Sequence, residues 1–241
     1  PSERAPHTPR RIVELCVEAG FPDGVVNLLN GQAGTVNAVL DHNWVAGVSF
    51  VGSTPVAEHV YERAAATGKR VQAQGGAKNH IILSDSANIE FAAQQTVSSA
   101  CACAGERCLA NDVVCVFADV YDEVCEAVAG AAEAQTVGYG PDDPDVGALI
   151  TEEHRQRVVG FVEDAVTDGA TLLVDGRDVT VDGYENGIYM GPTVLSDVDP
   201  SMRIARQEVF GPVVALTSVA GMDEALEVLN ASEFGNAASL F

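Results

Sequence analysis

Lysine is nearly absent. Only Lys69 and Lys78 occur in 241 residues, and 13 basic side chains stand against 35 acids, for a formal net charge of −22. A surface of that sign repels phosphate, which argues against a nucleic-acid partner. No single tail carries the charge, because the acids are spread over many segments. That pattern favours an anionic surface adapted to high salt, where screening suppresses self-repulsion, over an ordinary acidic protein. No apolar run is long enough to span a bilayer, and the opening "PSERAPHTPR" lacks the layout of a signal peptide. The chain therefore reads as soluble and cytoplasmic. The six cysteines (16, 101, 103, 108, 115 and 125) contain no CxxC pair and do not resemble a disulfide framework. "CAC" at 101–103, taken with Cys108 and His80, matches no common zinc spacing, so no metal is expected. There is no internal repeat and no low-complexity linker.

What is present is core-forming. Hydrophobic residues make up 47% of the chain, enough for one large α/β domain or two smaller ones. A first helix is expected with Thr8 as N-cap, Pro9 as first helical residue and Gly20 as stop. Ile12, Leu15, Cys16 and Ala19 share one of its faces. "VVNLL" (25–29) reads as a short strand, and "GQAGTVNAVL" turns into a second helix. "VAGVSFV" (45–51) reads as a strand buried on both faces. A tight turn, a helix with Pro55 near its start and Gly68 at its end, and the strand "KRVQAQ" follow. After "GGAKN" (75–79) the order restarts: strand "HIILS", a helix over about 88–104, strand "VVCVF", and a helix over about 120–134. Beyond the polar "GYGPDDPDVG" come a helix near Thr151, strand "TLLV", a Gly-rich turn region, strand "VVALTSV" and a helix from about 222. Strands alternating with helices imply an α/β fold built from parallel βαβ units. The boundary is expected at "GGAKN", dividing residues 1–76 from 77–241.

Three stretches can carry chemistry. "AGERCLA" (104–110) sets Cys108 beside Arg107, a cation able to favour thiolate, although a core cysteine would read the same way. "FVGST" (50–54) places Gly52 and Ser53 at a helix N-terminus, where free N–H groups suit a pyrophosphate. The spacing is not GxGxxG, and such turns are common without a ligand. "QEVFGPVV" (207–214) sets an acid and an aromatic before a Gly-Pro turn; alone, it is a solvated acid and a core Phe. Cys16, Cys115 and Cys125 fall at apolar-periodic positions and are expected to be buried.

Taken together, "PSE", "FVGST", "GGAKN", "AGERC", "GPTVL" and "QEVFGPVV" resemble the NAD(P)-dependent aldehyde dehydrogenases in order and spacing, over essentially the whole chain. "GKRVQAQGGAKNH" and "LLVDGRDVTVDGYENGIYMGPT" resemble the CoA-acylating methylmalonate-semialdehyde (malonate-semialdehyde) branch. The resemblance implies part of a Rossmann-type NAD domain over 1–76 and an α/β catalytic domain over 77–241. It implies Cys108 as nucleophile; Arg107, by its proximity to Cys108, is the candidate to grip a substrate carboxylate, with a structural salt bridge as its alternative role. Glu3 and Arg4 fall where the family meets the adenosine ribose, Gly52 and Ser53 at the pyrophosphate, and Gly75 at the nicotinamide end. Glu208 falls at the nicotinamide ribose, and Phe210 beside the ring. NAD as cofactor, CoA as co-substrate and a homo-tetramer are implied as well. So is a family sequence extending beyond both ends of this chain, which would leave this piece of uncertain turnover.

One departure bears on mechanism. The family's water-activating Glu falls at position 74, which here is Gln74, and the family's "LGG" becomes Gly75-Gly76-Ala77. An amide cannot take a proton at neutral pH, whereas a thiol ionises at about 8.5 and attacks with little help. The resemblance implies oxidation of (methyl)malonate semialdehyde through a cysteine thioester with decarboxylation, and Gln74 favours transfer to CoA over water. Two alternatives stand: a hydrolytic semialdehyde dehydrogenase, with Glu208 as a substitute base, and an inactive nucleotide-binding remnant.

Overall fold

The computed structural model describes residues 1–241, which divide into two compact units, Pro1–Gly76 and Ala77–Phe241.

In the first unit, helices α1 (His7–Glu18) and α2 (Ala33–Asp41) precede strand β1 (Gly47–Val51), helix α3 (Thr54–Ala66) and strand β2 (Arg70–Gln74). β1 and β2 pair in parallel, Gly47 opposite Arg70 through Val51 opposite Gln74. Leu40, Val60 and Ala64 form the small core, with Val48, Phe50 and Val71 packed on it. Only one face of this two-stranded sheet is covered. β1 therefore alternates between exposed and half-buried residues instead of being buried on both faces. α1 starts at His7 after Pro6, with no side-chain cap, so Thr8 and Pro9 lie inside its first turn. Its apolar stripe is largely bare: Ile12 is 55% and Leu15 47% exposed, and Cys16 is half-buried. Residues 25–29 form no strand, having no ladder partner. Gly20 and Gly68 end their helices with φ of +88° and +71°, a backbone that glycine adopts without Cβ strain.

The second unit is a six-stranded sheet of β3 (Asn79–Leu83), β4 (Asn111–Phe117), β5 (Thr171–Val174), β6 (Thr193–Ser196), β7 (Val213–Val219) and β8 (Ala238–Leu240). The strand order is β5-β6-β7-β4-β3-β8, with every neighbouring pair parallel except β5 against β6. The central strands read as unbroken apolar runs because helices cover both faces. α4 (Ile89–Cys101), α5 (Tyr121–Glu133) and α6 (Glu152–Thr167) supply Val97, Val128 and Phe161 to the main core. On the other face Ala225 of α8 (Met222–Asn230) packs with Ile82, Cys115 and Val219. Two helices open on side-chain caps, Asn88 accepting from Phe91 N–H (3.0 Å) and Thr151 from His154 N–H (3.1 Å). α4 ends at Cys101, earlier than its pattern indicates. β6, β8 and the four-residue α7 (Arg203–Arg206) were not expected. No helix is long and apolar enough to cross a membrane.

Candidate active site

The turn that carries Cys108 is set up by the end of α4. Cys103 and Ala104 have φ of 54° and 55°, and Gly105 follows at +70°. Three successive left-handed residues reverse the chain sharply, at a cost to the two that carry a Cβ. Gly105 has a second reason to be glycine: a Cβ there would collide with the carbonyl of Gly211 and the nitrogen of Pro212. The absent side chain lets the "AGERC" segment lie directly against the Gly-Pro turn of "QEVFGPVV". The chain then closes a four-residue turn, with Ala110 N–H donating to the Arg107 carbonyl at 3.1 Å. Arg107 and Cys108 are both exposed on it, and the Cys108 N–H donates to no protein acceptor.

The facing segment is held from α6. His154 Nε2 meets the Phe210 carbonyl at 2.6 Å, so that nitrogen carries the proton. Arg157 donates to the carbonyls of Val209 (2.8 Å) and Glu208 (2.6 Å), with its guanidinium 4.9 Å from the Phe161 ring centroid. Three consecutive carbonyls are thus taken by two side chains one helical turn apart, and Phe210 is held at φ 58°. Neither His154 nor Arg157 was singled out from sequence. Their i, i+3 spacing was visible, but their target, 51–56 residues away, was not. Glu208 is half-buried, and its Oε1 accepts from Ala77 N–H at 3.0 Å. Arg107, Glu208 and Phe210 line one small cleft with Ala77, Asp112 and Gly211.

Asp112, in that lining, forms a buried ion pair with Lys78 Nζ at 2.7 Å from its Oδ2. Burial pushes the Lys78 pKa down, and Asp112 opposes that shift. Asp112 Oδ1 has no hydrogen-bond partner. Glu106, two residues before the thiol, accepts from Ile150 N–H at 3.0 Å. Its pKa is raised by burial, against the pull of that bond and of His154.

Burial sorts the cysteines, with Cys16 half-buried between the extremes. Cys101, Cys115 and Cys125 are buried, and burial raises their pKa to about 12, about 11 and about 11. Cys103 and Cys108 are exposed.

In the first unit Gly52, Ser53 and Gly75 meet at the start of α3. Gly52 N–H donates to the Gln74 carbonyl at 3.1 Å, and a Cβ on Gly52 would strike the Phe50 ring at 2.5 Å. Ser53 is the exposed N-cap, and its hydroxyl makes no capping bond. A Cβ on Gly75 would lie 2.8 Å from Thr54 Oγ1, which accepts from Gly76 N–H at 3.0 Å. Gln74 is exposed at the end of β2. Glu3 and Arg4 lie in the exposed N-terminal turn, and no hydrogen bond or ion pair ties them to the start of α3.

Comparison with known proteins places this geometry. Malonate-semialdehyde dehydrogenase 2 of Bacillus anthracis is 43% identical over 243 residues, covering 100% of this chain and 50% of that protein. The crystal structure of methylmalonate-semialdehyde dehydrogenase from Oceanimonas doudoroffii superposes with a TM-score of 0.96 at 41% identity, covering 100% of this chain and 50% of its own. A mutant aldehyde dehydrogenase C of Pseudomonas syringae, complexed with NAD+ and octanal, matches with a TM-score of 0.91 at 33% identity, again over 100% and 50%. The chain therefore spans about half the length of the relatives it matches. The pattern of the aldehyde dehydrogenase family itself matches residues 1–241 without interruption. The chain belongs to the aldehyde dehydrogenase family.

Proposed function

We propose that this chain carries the thiol centre and part of the nucleotide site of an NAD-dependent (methyl)malonate-semialdehyde dehydrogenase that passes its acyl group to CoA. Residues 77–241 then form the catalytic domain and residues 1–76 part of the NAD-binding domain. The observation that carries the reading is the exposed Cys108 turn fixed against the Glu208–Gly211 segment. The names of the relatives support the substrate class.

Within the first unit, the start of α3 offers what a dinucleotide's pyrophosphate would use. The uncapped Ser53 hydroxyl and the first-turn amides of α3 suit a pyrophosphate. Gly52 and Gly75 leave bare backbone beside it, and Glu3 and Arg4 are assigned to the adenosine ribose. Glu208 and Phe210 are assigned to the nicotinamide ribose and ring. When bound, NAD supplies the hydride acceptor that turns a thiohemiacetal into a thioester.

The chain's own residues do the rest. Cys108 thiolate attacks the aldehyde carbon, and the carbonyl π pair moves onto oxygen, where the unpaired Cys108 N–H donates to it. Arg107 holds the substrate carboxylate by a bidentate pair until that group leaves as CO2. The electron pair of the broken C–C bond enters the thioester enolate and is then protonated. The CoA thiolate attacks the thioester carbonyl, and the Cys108 sulfur departs with its electron pair. Gln74 offers water no base, which favours the thiol acceptor. The full-length assembly is a homo-tetramer in this reading, and the anionic surface is an adaptation to high salt.

The test is an assay with malonate and methylmalonate semialdehydes and NAD, with CoA present or withheld. NADH formation that requires CoA and is abolished in Cys108→Ala is expected. Free acid formed equally without CoA would favour the hydrolytic alternative, and no turnover with retained nucleotide binding the remnant.

A further inference from the structure

The carbonyl of Cys108 accepts two side-chain amides. Asn79 Nδ2 donates to it at 2.9 Å and Asn236 Nδ2 at 2.7 Å. Asn79 spends its second amide hydrogen on the Ala110 carbonyl at 2.8 Å, and its Oδ1 accepts from Ala237 N–H at 3.1 Å. It is 2% exposed, and both of its donors and its acceptor are used. Asn236 is exposed and sits just before β8. The β3–β4 ladder is irregular between Asn79 and His80, so Asn79 sits at the break in the ladder. The exit of the turn is tied down too, with Asn111 Oδ1 bonded to Ser99 Oγ at 2.9 Å and Asn111 Nδ2 donating to the His80 carbonyl at 3.2 Å.

We infer that Asn79 and Asn236 are positioning residues that fix the mutual orientation of the Cys108 thiol and the Arg107 guanidinium. This rests on the reading of Cys108 as nucleophile and Arg107 as carboxylate partner. The physical case is that the turn is exposed and holds itself by one backbone bond, Ala110 to Arg107. With both lone pairs of the Cys108 carbonyl engaged, rotation of the 108–109 peptide breaks two bonds and strands the buried Asn79 amide. The clamp takes the carbonyl side of Cys108 and leaves its N–H free. One amide comes from the start of β3 and the other from the approach to β8, so the turn is gripped from two neighbouring strands.

The experiment alkylates the 241-residue chain at pH 8 with neutral iodoacetamide and anionic iodoacetate, followed by site-resolved mass spectrometry. The readout is the iodoacetate-to-iodoacetamide rate ratio at Cys108, with exposed Cys103 on the same molecule as internal standard. In the wild-type chain the ratio at Cys108 is expected to exceed that at Cys103 about three- to fivefold, the scale of one exposed ion pair. Asn236→Ala, and Asn79→Ala combined with it, are expected to bring the ratio down to that of Cys103. Cys101, Cys115 and Cys125 should stay unlabelled, which separates lost orientation from lost fold. If Asn79→Ala does not fold, Asn236→Ala at its exposed position decides alone. A ratio that stays high in the folded Asn236→Ala chain overturns the clamp while sparing the roles of Cys108 and Arg107. A ratio equal to that of Cys103 in the wild-type chain overturns those roles and the clamp with them.

Discussion

Single side chains here are decided by their immediate surroundings more than by their type. Six cysteines share one chemistry, yet burial separates three of them from the rest. Each buried thiol has a folded pKa above its ordinary value of 9.0. The folded state therefore holds those protons while the unfolded chain releases them. Their contribution to stability is complete below about pH 9 and is lost as pH rises toward 11–12. Urea unfolding midpoints should fall across that window, and Cys101→Ala should flatten part of the slope; an unchanged slope would contradict this. Gln74 is the other single-residue test. On the proposed thiol-transfer reading, Gln74→Glu in the full-length enzyme would supply the absent base, and release of free acid without CoA should rise at least tenfold, within the range of general-base catalysis of ~10²–10⁴. Product analysis by mass spectrometry reads it directly.

At the scale of the element, α6 is the part on which the 208–210 segment depends. Its start was plain in the sequence, since Thr151 followed by Glu152 and Glu153 is an N-cap with acids in the first turn. Thr151→Ala removes the acceptor for His154 N–H and should cost about 1 kcal/mol in urea unfolding. The same change loosens the turn bearing His154, so amide exchange at 208–211 should quicken. Gly105 is the corresponding point on the thiol turn. Gly105→Ala combines left-handed strain with a clash against the Gly211 carbonyl, and a loss of more than about 2 kcal/mol is expected. The elements that escaped sequence reading were short. β6 and β8 exist because a ladder partner waits beside them, β7 for one and β3 for the other. The reverse failure, at residues 25–29, has the same cause: an apolar run without a partner stays irregular.

Across the whole molecule, net charge acts on stability as a single field. A net −22 on 241 residues produces self-repulsion that salt screens, with a Debye length of ~10 Å at 0.1 M and ~3 Å at 1 M. Raising KCl from 0.1 to 2 M should lift the unfolding temperature by at least about 5 °C, equivalent to ~2 kcal/mol. Sucrose serves as an uncharged control, and an equal gain in sucrose would refute the electrostatic account. The sequence by itself determined the alternation of strands and helices, the α/β class, a cysteine beside an arginine and the amide at position 74. Those follow from local pattern and residue chemistry, which act over a few neighbouring residues. Only the tertiary structure decided that Gly105 must lack a side chain to meet Gly211, and that His154 and Arg157 would hold three carbonyls of residues 208–210. It alone brought two asparagines 157 positions apart to a single carbonyl. The reason is physical: a polar backbone group removed from water takes whichever donor the packed chain brings within 3 Å, and sequence distance plays no part in that choice.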